Sequence, residues 1–122
     1  MYTIRKQFAF EAAHHLEGLE PGHPCMRPHG HSYRVEIVLR GQLVDGGGQF
    51  VRDYRALDEL KHYIDSELDH RDLNEVLEVA TTAENLAKHF YLWSKQRWPE
   101  VVAASVSETQ KTWATYSEET TP

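Results

Sequence analysis

His29 and His31 flank Gly30 at the start of an alternating run, "HGHSYRVEIVL", and the chain's single cysteine, Cys25, stands four residues before His29. In a strand, residues two apart project to the same side, so neutral imidazoles at that spacing can reach one Zn2+ at ~2.0–2.1 Å each. Two ligands make only half a site. His14 offers a third, because it closes "MYTIRKQFAFEAAH", where Tyr2, Ile4, Phe8 and Phe10 share one face by period-two alternation and a hairpin-like return brings His14 beside the pair. Three histidines leave a tetrahedral ion one open position, the pattern of a catalytic rather than a structural zinc. Taken alone, an H-x-H in a chain with eight histidines also reads as an ordinary polar strand end.

Two further groups bear on this chemistry. In "LDHRDLN" Asp69 adjoins His70, and a carboxylate so placed orients an imidazole and keeps it basic, as in many relays. A helix C-terminus with His70 set against the dipole fits the same residues equally well. Glu108 ends the apolar row Val102, Ala104, Val106, so a carboxylate stands in line with core positions. Cys25 is a free thiol, read as a small packed hydrophobe or as a nucleophile, base or ligand. His15 is a spare ligand at most, and His23, His62 and His89 have no comparable context.

Composition frames what can surround such a site. The 122 residues suit one domain with a modest core, expected over 1–118, followed by a flexible tail at 119–122, "SEETTP" being the frayed end. No apolar run approaches the ~20 residues that span a bilayer, so no membrane is expected. A net charge of -6 without clustered Lys and Arg argues against nucleic acid and for small-molecule partners. A lone cysteine fits a reducing compartment, and the expected location is cytoplasmic.

The elements follow from periodicity. "HSYRVEIVL" places His31, Tyr33, Val35, Ile37 and Leu39 on one side of a half-buried antiparallel strand. "DGGG", Asp45–Gly48, reads as a hairpin turn between "GQLV" and "QFV". Asp53 caps a helix whose apolar stripe is Leu57, Leu60, Ile64 and Leu68. A second helix starts at "TTAEN", capped by Thr81 with Glu84 in capping-box spacing or equally by Thr82, and Pro99 limits its end. "VVAASVSETQ" and "TWATY" read as two strands. The order is ββααββ, an α+β fold with a four-stranded antiparallel sheet and two helices on one face.

With these motifs assembled, the chain resembles the 6-pyruvoyl tetrahydropterin synthase and 6-carboxytetrahydropterin synthase family. "FEAAHHL", "CMRPHGHS", "LDHRDLN", "TAENLA" and "SET" occur in the family's order and spacing over nearly the whole chain. The resemblance implies the tunnelling fold, a homohexamer of two stacked trimers, and active sites between subunits. It implies Zn2+ held by His14, His29 and His31, a catalytic Cys25 that accepts a proton, a relay of Asp69 and His70, and Glu108 holding the pterin ring. Three residues between Cys25 and "HGH" look like the carboxytetrahydropterin branch. The implied reaction converts 7,8-dihydroneopterin triphosphate to 6-carboxy-5,6,7,8-tetrahydropterin with release of acetaldehyde and triphosphate, an early step of queuosine-type 7-deazapurine biosynthesis. The alternatives are a 6-pyruvoyl tetrahydropterin synthase or related pterin lyase, and a non-catalytic zinc- or pterin-binding module. His15 stands where the family commonly has arginine, and Thr81 where it commonly has proline. Arg27 and Lys111 are the candidates for meeting a triphosphate.

Overall fold

The computed structural model describes residues 1–44 and 48–118. Strand β1 (Tyr2–His14) and strand β2 (His29–Gly41) pair antiparallel in an unbroken register from Tyr2 opposite Gly41 to His14 opposite His29. Strands β3 (Val101–Thr109) and β4 (Thr112–Tyr116) complete an antiparallel sheet of order β1-β2-β3-β4. The expected ββααββ architecture is present, with the helices over one face of the sheet. Phe8, Phe10, Tyr33, Val35, Ile37 and Leu39 bury that face, as their alternation dictates.

The first expected helix is segmented. Asp53 caps it by accepting from the Arg55 N–H, a 3-10 turn covers Tyr54–Leu57, and helix α1 (Asp58–Tyr63) follows. The helix then widens into a π-turn over Ile64–Leu68, closed by the Asp69 N–H on the Ile64 carbonyl at 2.8 Å. Leu57, Leu60, Ile64 and Leu68 are all buried, so the stripe survives the change of pitch. A short helix α2 (Leu73–Val76), not anticipated from periodicity, is capped by Asp72. Helix α3 (Ala83–Arg97) packs Leu86, Ala87 and Phe90 into the core. Thr82 caps it by accepting from the Asn85 N–H, which leaves the fully buried Thr81 for a different task.

Two expectations change. The row ending on Glu108 does not include Val102, because a bulge opposite Val38 and Leu39 inserts one extra residue and turns Val101 into the core instead. Between β2 and the first helix, residues 42–44 and 48–53 form no strand. Val51 is drawn into the core beside Gly41 while Phe50 stays exposed, and the two limbs share one backbone hydrogen bond from Val44 to Phe50. Asp45–Gly47 of the expected turn, and the tail expected at 119–122, lie outside the described residues. Among the described residues no helix is long and apolar enough to cross a membrane.

Candidate active site

The β1–β2 register decides the centre. His14 sits directly opposite His29 and Ala12 opposite His31, so the three imidazoles emerge on one face at the end of the ladder. Their ring centroids are 4.6, 4.8 and 5.0 Å apart in edge-on arrangements, and one nitrogen from each lies within 4.8 Å of the others.

The outward nitrogens are tied back. His14 Nδ1 is 2.8 Å from the Thr81 carbonyl, and His29 Nδ1 is 2.7 Å from the Arg27 carbonyl. A carbonyl only accepts, so both Nδ1 atoms carry protons, which in a neutral ring leaves Nε2 with the lone pair. Among the described residues the buried Nε2 atoms of His14 and His31 have no hydrogen-bond partner. Buried polar atoms are rarely left so, and a cation shared by converging lone pairs is what such a donor set fits. Burial holds His14 below the ordinary value of 6.5, as it does His31, against the opposing pull of Glu108. Neutral imidazole is the ligating form.

Glu108 projects from β3 toward the same centre, its carboxylate oxygens 3.9 Å from His14 Nε2 and 3.8 Å from His31 Nε2. These separations exceed hydrogen-bond length, and the imidazoles they face are held toward the neutral form, so Glu108 is aimed at the centre without being consumed by a direct bond. Beyond Arg34 opposite Ser107 the strands β2 and β3 part, and Gly30, His31, Ser32, Glu108 and Thr109 line the opening between them.

Asp69 and His70 are joined as expected, Asp69 Oδ2 lying 2.9 Å from His70 Nδ1. The other Asp69 oxygen accepts from the Glu11 N–H at 2.9 Å. That bond first, and His70 second, hold the Asp69 carboxyl below its ordinary value of 3.8. The imidazole is largely exposed and lines a cleft of about 510 Å³ shared with Glu11, Gly30, His31, Ser32 and Arg71. The helix ends at Leu68 with Asp69 as its cap, so His70 stands just past the C-terminus and its ring pairs with Asp69.

Cys25 lies in a 3-10 turn, Pro24–Met26, half-buried and outside the converging group. The turn is tied to the chain just past β1 by the Leu16 N–H on the Cys25 carbonyl at 2.8 Å. Arg27 contributes its carbonyl to His29, and Lys111 sits exposed at the β3–β4 turn. Thr81 was missed as a partner of His14. Its signal was the Thr81–Thr82 pair, of which only one residue can cap the helix.

The sequence model of the family described as 6-pyruvoyl tetrahydropterin synthase matches residues 3–119. A Synechocystis protein named 6-carboxy-5,6,7,8-tetrahydropterin synthase is 35% identical over 94 residues, covering 71% of this chain and 70% of its own. A Pyrococcus furiosus protein named dihydroneopterin monophosphate aldolase is 34% identical over 89 residues, covering 73% and 68%. The solved structure of Caenorhabditis elegans 6-pyruvoyl tetrahydropterin synthase superposes with a TM-score of 0.84 at 26% identity, covering 97% of this chain and 96% of that one.

The buried imidazoles set a pH dependence. On unfolding, His14, His31 and His89 regain the ordinary value of 6.5, whereas burial lowers all three in the folded chain. Between those limits the unfolded chain binds more protons, so stability is full above 6.5 and is lost as the pH falls toward the lowered values. Urea denaturation of the metal-free protein from about pH 8 to about pH 5 should show a plateau and then a falling midpoint. A midpoint that stays constant through the acid half of that range would contradict the neutral state of these rings.

Proposed function

The chain belongs to the 6-pyruvoyl tetrahydropterin synthase family, and from that premise we propose that it is a zinc-dependent 6-carboxy-5,6,7,8-tetrahydropterin synthase. In this reading it takes 7,8-dihydroneopterin triphosphate, releases acetaldehyde and triphosphate, and feeds 7-deazapurine synthesis of the queuosine type. The single observation that carries the reading is the convergence of three imidazoles, with the buried Nε2 atoms of His14 and His31 lacking partners among the described residues and Glu108 facing them. The name carried by the Synechocystis relative supports the choice of product. The aldolase name of the Pyrococcus relative favours a competing reading, a different carbon-carbon cleavage on the same scaffold. Mass spectrometry of the product separates the two.

His14, His29 and His31 would hold the ion. When bound there, zinc supplies Lewis-acid polarisation of a substrate oxygen. Cys25 serves as the proton acceptor. His70, oriented by the Asp69 carboxylate, exchanges protons with the side chain being cleaved, a contribution typically worth ~10²–10⁴-fold. Glu108 accepts hydrogen bonds from the amino and ring N–H groups of the pterin, which are charge-assisted and strong for their size.

Metal analysis tests the ligand set. The parent should hold about one zinc per chain, in the open three-histidine form of a catalytic site, and His29→Ala and His31→Ala should each lose most of it. Full retention in both variants removes the site.

Turnover then separates the roles. Cys25→Ala should keep zinc and fold while losing roughly 10²–10⁴-fold in rate, the amount a general base supplies. Glu108→Ala should lose pterin affinity first. A Cys25→Ala protein that turns over like the parent, beside a Glu108→Ala protein that binds pterin normally, would refute both assignments.

The proposed homo-oligomer, a hexamer, rests on exposed backbone. Among the described residues the outer edge of β4 carries no strand partner, and that of β1 is covered only at Glu11–Ala13 by residues 69–72, whereas proteins usually cover such edges. His70 also lies exposed on the surface, as a group completed by a neighbouring copy would. Native mass spectrometry should find the assembly, and an active monomer at micromolar concentration would rule it out.

A further inference from the structure

Asn74 ends the "LDHRDLN" segment and has no part in the roles above. It lies in helix α2, whose cap Asp72 accepts from the Asn74 N–H at 3.0 Å and pairs as an isolated parallel bridge with Ala13 of β1. The side chain spans the residue that follows His14. Asn74 Oδ1 accepts from the His15 N–H at 2.9 Å, and Asn74 Nδ2 donates to the His15 carbonyl at 3.0 Å. The reverse amide orientation would set donor against donor and acceptor against acceptor, so this one is fixed by its partners.

The same Oδ1 lies 3.2 Å from the Thr81 hydroxyl, which is also 3.3 Å from the His15 carbonyl. Thr81 in turn faces His14 Nδ1 with two atoms, its carbonyl at 2.8 Å and its hydroxyl at 3.2 Å. Because the hydroxyl spends its one proton on Asn74 or His15, it turns a lone pair toward His14. Both Thr81 atoms therefore accept from His14 Nδ1–H, and the proton has no reason to move to Nε2. His14 and Thr81 are buried, so water does not replace these partners.

We infer that Asn74 is a positioning residue of the centre: by clamping His15 and orienting the Thr81 hydroxyl, it fixes the tautomer and ring plane in which His14 offers its Nε2 lone pair. Outer partners of this kind typically account for 10–100-fold in metal affinity. The inference rests on the zinc reading proposed above, but its first measurement does not use the metal.

The experiment compares the parent with Asn74→Ala and Thr81→Val in two ways. Nitrogen-proton NMR of the metal-free proteins reads the His14 Nδ1–H, with the His29 Nδ1–H bonded to the Arg27 carbonyl as the internal control. Chelator competition reads zinc affinity. Asn74→Ala should lose the protected His14 signal, keep that of His29, and bind zinc about 10–100-fold more weakly. Thr81→Val, which removes the hydroxyl acceptor while the carbonyl remains, should move both readouts in the same direction. A purely structural role predicts a lower unfolding midpoint with tautomer and affinity unchanged, and that result overturns the inference. Loss of the signal with affinity within about twofold of the parent also overturns it. If Asn74→Ala does not fold, Thr81→Val decides on the same criteria. A parent that binds no zinc sinks the reading of the centre, while the tautomer measurement still decides whether Asn74 sets His14.

Discussion

The register of β1 on β2 is the constraint on which the rest depends. Thirteen residues of each strand pair without a bulge, so the alternation that buries Phe8 and Phe10 is still in phase when it reaches His14. A slip of one residue would carry His14 to the opposite side of the sheet from its partners. The core prevents the slip, since it would also expose Phe8 and Phe10 and bury Arg5 and Gln7. The centre is therefore specified by apolar residues well away from it. Thr81 and the Asp69–His70 turn attach to the last residues of β1, and the Cys25 turn attaches to Leu16 just past them.

This dependence explains what could be read in the sequence. Period-two alternation is local, and it carried His14, His29 and His31 to one face before any contact was known. Asp69 beside His70 was legible because adjacency in the chain became adjacency in space. Hydrogen bonding across the fold was less legible. Thr81 and Thr82 are indistinguishable as caps by type and spacing, and only packing shows that Thr82 caps while Thr81 faces His14. The bulge that exchanges Val102 for Val101 is set by two strands together, not by β3. The π-turn at Ile64–Leu68 leaves the helical stripe intact and so leaves no trace in the spacing.

Placing three imidazoles at the end of a buried row is a stability cost. An unpaired buried polar atom costs about 1–3 kcal/mol, and two Nε2 atoms are in that state. The fold could have relieved this by donating a hydrogen bond to them. Instead each of His14 and His29 is bonded on its far nitrogen, which increases the definition of the free lone pair rather than satisfying it. Glu108 follows the same pattern: it approaches to 3.8–3.9 Å and stops short of a bond. Groups aimed together and left unpaired mark a site whose complement comes from outside the chain.

The same logic extends to His70, where the cost is in the backbone. Its φ of 60° is left-handed, a conformation costing about 1–2 kcal/mol for a residue with a Cβ. Neither side-chain burial nor core packing offsets this, since the imidazole is exposed. What holds the turn is β1: the His70 N–H donates to the Glu11 carbonyl at 2.6 Å while the Glu11 N–H donates to Asp69 Oδ1 at 2.9 Å. One residue of the strand thus grips both members of the pair. Asp69 keeps its second oxygen for His70 Nδ1, so the imidazole is oriented although it stands in solvent. A glycine would adopt this φ at no steric cost. A strained histidine, clamped on both sides, lines the cleft that His31 also lines, and the strand that sets the face of the three imidazoles sets this ring as well.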